Sequence, residues 1–139
     1  MDARSILQPL FVLALWNVVM WIWMYATRIP AMSKAGIDPA TATKDSMGRL
    51  PPEVVRVADN YNHLFEQPTL FYAVVISIAV LGHVDGFYVG CAWVYVALRI
   101  VHSLVQATVN IILIRFTIFS LSSIVLAIMI FRESFRLFG

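Results

Sequence analysis

The sequence predicts an all-α protein embedded in a membrane, a four-helix bundle occupying residues 1–139 as a single domain. Three observations predict it. The chain is 60% hydrophobic and only 13% charged. Its apolar residues gather into runs at 6–25, 68–84, 87–105 and 111–131, each about long enough to cross a ~30 Å hydrocarbon layer at ~1.5 Å rise per residue. Too little sequence remains between them for a separate soluble domain.

The first run follows Arg4 and is about 20 residues long, with no small-residue cleavage site after it; it reads as a retained anchor and not as a signal peptide. Trp16, Trp21, Trp23 and Tyr25 within it are interfacial anchors and lipid-facing packing, and Asn17 is an interhelical hydrogen-bond donor. A long connection over residues 30–53 contains Pro30, Gly36, Pro39, Gly48, Pro51 and Pro52, so it reads as irregular loop. Arg28, Lys34, Lys44, Arg49 and Arg56 lie in or beside it, the 82–86 connection has no Lys or Arg, and the termini have Arg4, Arg132 and Arg136. The positive-inside rule therefore places the long loop in the cytoplasm and both termini on the opposite side. Cys91, the only cysteine, falls within the third run as a packed thiol that excludes any intrachain disulfide. A formal charge of +2 gives no footprint for nucleic acid.

The informative residues are those that oppose membrane burial. Asp59 and Glu66 lie just before the second run, Arg99 and His102 lie in the third, and Arg115 lies in the fourth. A charged group at the centre of a spanning helix costs about 2.5–3.5 kcal/mol on insertion scales, so such groups mark function by default. With the loop cytoplasmic, the start of run two, the end of run three and the start of run four share one membrane level. Asn62, Glu66, Arg99, His102, Gln106, Asn110 and Arg115 all converge there. The spacing i, i+3, i+7 puts Asp59, Asn62 and Glu66 on one helix face, and Arg99, His102 and Gln106 on another. Glu66 facing Arg99 or Arg115 would cancel buried charge. Two arginines against one deep carboxylate leave a cationic surplus that suits an anionic ligand. A purely structural role, locking helices by hydrogen bonds and an ion pair, is the competing reading.

The stretch Asn62-His63-Leu64-Phe65-Glu66-Gln67-Pro68, then Phe71, Arg99-x-x-His102 and Arg115, resembles the superfamily of membrane-associated proteins in eicosanoid and glutathione metabolism (MAPEG), as a bacterial-type member, and the intervals from Arg99 to His102 and to Arg115 are similar to those of its prostaglandin synthase branch. The likeness covers all four helices. It implies a homotrimer that binds glutathione between neighbouring subunits near the cytoplasmic face. Asn62, Glu66, Arg99 and His102 match positions associated with the glutathione pocket, and Arg115 matches the arginine thought to activate the thiol. Three departures stand out. Asn62 and Glu66 are four apart where the family's pair is usually three apart, Gln106 replaces a tyrosine, and Phe119 stands where the prostaglandin branch has another. The last two bear on prostaglandin activity and not on the glutathione site.

The function so implied is a glutathione-dependent transferase, with peroxide reduction or isomerisation as variants of the same chemistry. Glutathione is the co-substrate, and a lipophilic electrophile arrives from the lipid. His102 serves either as a proton shuttle or as a plain hydrogen-bond donor. His63 and His83 lie at opposite faces, and no metal-ligand motif is present. Two other classes compete: a non-catalytic lipid-binding scaffold, and a small proton-coupled transporter using Glu66.

Overall fold

A computed structural model describes residues 2–139. Among them the chain is all helical, with α1 at Ala3–Ala35, α2 at Lys44–Met47, α3 at Pro52–His63, α4 at Gln67–Leu81, α5 at Gly86–Ala107 and α6 at Ile112–Phe138. Four spans are long and apolar enough to cross a membrane: α1, α3 with α4, α5, and α6. This is the organisation of a multi-pass integral membrane protein.

Helix α1 starts on the Asp2 carboxylate, which accepts from the Arg4 amide (3.2 Å), and its 33 residues give a length of about 50 Å. It passes through Pro30, where an irregular loop was expected. The Ala26 carbonyl loses its amide partner to that proline, and the helix continues nonetheless. Good helix formers follow, and Gly36 ends the helix in the left-handed region at φ 69°, a conformation that glycine adopts without penalty. The true connection is therefore residues 36–51, with the single turn α2 inside it. Met32, Leu50 and Val54 form a small core that pins this segment to α3.

The second span is also not one helix. α3 stops at His63 and α4 restarts at Gln67, with Pro68 in its first turn. Pro68 has no amide to give the Leu64 carbonyl, and its ring crowds that carbonyl, so a continuous helix is weakened here. Glu66 sits in the break at φ −88°, ψ −96°, and does not share a helix face with Asp59 and Asn62 as the spacing alone predicts.

Main-core residues include Ile6, Leu13 and Met20 of α1, Phe71 and Ile78 of α4, Tyr88 and Tyr95 of α5, and Leu126 and Met129 of α6. Phe71 stacks on Tyr95 at 4.4 Å between ring centroids with planes at 17°, a close, near-parallel aromatic pair. Much of the outer surface is apolar, including Ile112, Leu113, Phe116, Phe131 and Phe135 of α6, as a bundle solvated by lipid requires. The chain order brings the C-terminal end of α5 and the N-terminal end of α6 to the end of the bundle where α3 breaks.

Candidate functional site

Arg99 is the largest completely buried side chain among the described residues. Its Nη2 donates to Nδ1 of His63 (3.0 Å), while Nε and Nη1 have no partner. His63 stacks on His102, with centroids 5.2 Å apart and planes at 29°, and meets the edge of Phe119 at 5.6 Å. The Arg99 guanidinium lies 5.5 Å from the Phe119 centroid, within the ~6 Å reach of a cation–π contact. Three elements thus meet: the end of α3, the last turns of α5 and the first turns of α6.

Beside them opens a cleft of ≈ 210 Å³ lined by His63, His102, Ile112, Arg115, Phe116 and Phe119. Arg115 is aimed by the turn before it. Asn110 takes φ 51°, which asparagine tolerates better than most residues, and its Oδ1 accepts from Arg115 Nη1 at 2.6 Å. Arg115 Nε is buried without a partner. Among the described residues no carboxylate lies within 4.0 Å of either arginine.

Behind the cleft the polar lining continues inward. Ser103 Oγ accepts from Trp16 Nε1 (2.8 Å) and from Asn60 Nδ2 (2.5 Å), tying α1, α3 and α5 together. Trp16 is therefore an interior donor and not only a lipid-facing anchor. Asn17 donates to the Tyr72 hydroxyl at 3.1 Å, linking α1 to α4 as its place in the first run predicts. Asn60 Oδ1, His102 Nδ1 and Gln106 Oε1 are buried without partners, a concentration of unsatisfied atoms at one level that calls for water or ligand.

Of the residues singled out by sequence, Arg99, His102 and Arg115 come together, and Gln106 is buried on the same stretch of α5. Arg99 lies behind His63 and does not line the cleft. Glu66 pairs with neither arginine. Its side chain is 68% exposed, and the ionisable group within 4.0 Å of it is His63, with Nε2 at 3.9 Å, because the break before Pro68 swings it outward. Asn62 lies apart too, exposed on a second cleft of ≈ 310 Å³ with Arg28, Lys44 and Asp59. On a helix, neighbours are about 100° apart, so if His63 faces inward Asn62 cannot. Sequence reasoning passed over His63, although it is the residue three before Glu66, the spacing usual in the superfamily.

A second polar cluster, also unforeseen, lies at the opposite end. Buried Glu133 accepts from the Tyr88 hydroxyl (2.8 Å) and is hydrogen-bonded to His83. Asp85 caps α5 by accepting from the Tyr88 amide (2.9 Å) and pairs with Arg132 (2.8 Å) and more distantly Arg136 (3.7 Å). Burial alone would raise the Asp85 carboxyl. The Tyr88 amide and the two guanidiniums outweigh it and hold the group below its ordinary value. Every acceptor here is matched by a donor within the chain, in contrast to the first cluster.

A sequence model of the MAPEG family matches residues 6–133, from the first turn of α1 to the last turns of α6. The chain belongs to the MAPEG family. This family includes glutathione transferases and related membrane proteins, and its members commonly use glutathione. No curated protein and no solved structure gave a significant match. In this MAPEG protein the match takes in both polar clusters except Arg136, and of the two only the first leaves cationic groups unpaired.

Proposed function

We propose that this MAPEG protein is a glutathione-dependent membrane transferase acting on a lipophilic electrophile, with Arg115 facing the glutathione sulfur. The observation that carries the reading is a cleft with one arginine in its wall and a second buried behind it, neither matched by a carboxylate. Glutathione has two carboxylates and one ammonium, so its net charge complements that surplus, and a guanidinium fork suits a carboxylate or thiolate. The thiol resembles free cysteine, with an ordinary pKa of about 8.5. Arg115 would favour the thiolate, each pKa unit corresponding to about 1.4 kcal/mol. The thiol proton leaves to water through the open cleft, and the sulfur lone pair forms the new C–S bond as a bond of the electrophile breaks, its electron pair departing with a leaving group or, in an activated alkene, moving to the neighbouring carbon, which takes a proton from water. Ile112, Phe116 and Phe119 supply an apolar wall for that second substrate.

The cleft volume supports assembly. At ≈ 210 Å³ it falls below the ~300–1,000 Å³ of sites that enclose small molecules, so a tripeptide needs a second wall. A neighbouring copy in a homotrimer would provide it, with Glu66 and Asn62 exposed on the outer surface to take part. A calorimetric titration of glutathione into detergent-solubilised protein tests the reading. Saturable binding is expected, and absence of binding would leave the non-catalytic lipid-binding scaffold as the better account.

A further inference from the structure

His63 stands between the open cleft and the buried guanidinium. We propose that Arg99 acts on the cleft through His63, holding its imidazole in the neutral tautomer with the proton on Nε2, so that His63 is a hydrogen-bond donor offered to an anionic ligand. Arginine can only donate. The 3.0 Å contact from Arg99 Nη2 therefore requires a bare lone pair on His63 Nδ1, and the neutral ring must carry its proton on Nε2.

The other edge of the ring agrees. Nε2 faces the Glu66 carboxylate at 3.9 Å, an acceptor that matches an N–H and not a lone pair. The ring is held by its stack on His102 and its edge contact with Phe119, so its orientation is set on both sides. The charged and titratable groups facing it are Arg99 and His102 from α5, Arg115 from α6 and Glu66 from the break after α3. Because Glu66 is 68% exposed, its side chain is free to withdraw when an anion takes its place at Nε2. Arg99 is then a positioning residue, the role that carboxylates and carbonyls usually play toward one nitrogen of a functional histidine, here with the opposite tautomer.

The identity of the anion rests on the glutathione reading; the tautomer does not. The chain has three histidines, so protein labelled with [15N]histidine in detergent gives a simple spectrum, and His63 is assigned by its loss in His63→Gln. Long-range proton–nitrogen correlation at pH 7.5 should show His63 neutral and protonated on Nε2, with that preference lost in Arg99→Leu. A wild-type His63 protonated on Nδ1 or on both nitrogens overturns the proposal, as does an unchanged tautomer in Arg99→Leu. Should that variant not fold, the wild-type spectrum still decides. Glutathione sulfonate, an anion without a thiol proton, then tests the donor role by calorimetry. His63→Phe keeps the ring packing and loses both nitrogens, and should bind about tenfold more weakly, the scale of one hydrogen bond to a charged group. His63→Gln keeps an acceptor and a donor on one amide and should recover most of that loss. Equal affinity of His63→Phe and wild type overturns the donor role. No binding to the wild type overturns the glutathione reading instead, and the spectrum still decides the action of Arg99.

Discussion

Glu66 has its side chain 68% exposed beside His63, whereas Glu133 is buried between Tyr88 and His83. An exposed pair is worth about 0–1 kcal/mol, while removing one partner of a buried one costs about 3–5 kcal/mol. Glu133→Ala should therefore lower the thermal midpoint strongly, and Glu66→Ala hardly at all. Equal losses in the two variants, measured by thermal unfolding in detergent, would contradict this placement. Arg99, His102 and Arg115 were legible in the sequence because a charge or imidazole in an apolar run is conspicuous. His63 was not, since it precedes the apolar run, and its role depends on which way the last turn of α3 faces. Trp16 was hidden by its type, because a tryptophan in a membrane helix reads as an anchor until the Ser103 hydroxyl is found 2.8 Å from its indole nitrogen.

The helices owe their ends to local chemistry that the sequence carried only in part. A missing amide at Pro68 marks the break before it, but the same signal at Pro30 breaks nothing, so the proline alone does not decide. At the opposite end, Gly82 closes α4 at φ 72°, and its backbone position leaves open space where a Cβ would stand. Gly82→Ala should thus cost only the left-handed backbone penalty, about 1–2 kcal/mol, with no clash added. An unchanged melting temperature would show that the turn adopts another conformation. Asp85 caps the next helix, and its carboxyl is held below its ordinary value. Its stabilising contribution is then fully present above about pH 4, the unfolded value, and is lost as pH falls through the lower folded value. The stability gap between wild type and Asp85→Asn should narrow on acidification, and a gap that widens would reverse the sign of the argument.

At the scale of the whole molecule, four spans and one polar level were readable from hydropathy and charge alone, because lipid forbids the alternatives. The extent of α1 was not readable, since Pro30 and Gly36 look alike as breakers and only the second acts as one. The two ends of the bundle differ in a way that composition conceals. One end matches its carboxylates with donors, and the other leaves guanidinium and imidazole nitrogens without partners beside an open cleft. An open cleft too small for a tripeptide predicts assembly, so native mass spectrometry in mild detergent should show trimers; monomers or dimers alone would count against the second wall. The central claim is that Arg115 stabilises a glutathione thiolate, an interaction that strengthens as the sulfur becomes anionic and so affects rate more than ground-state binding. The most direct measurement follows the ultraviolet absorbance of the thiolate against pH with glutathione bound, in wild type and in Arg115→Ala. Thiolate should form in the wild type well below the pH at which free glutathione ionises, and in Arg115→Ala only near it. If both proteins form thiolate at the same pH and turn over an electrophile equally fast, Arg115 does not activate the thiol.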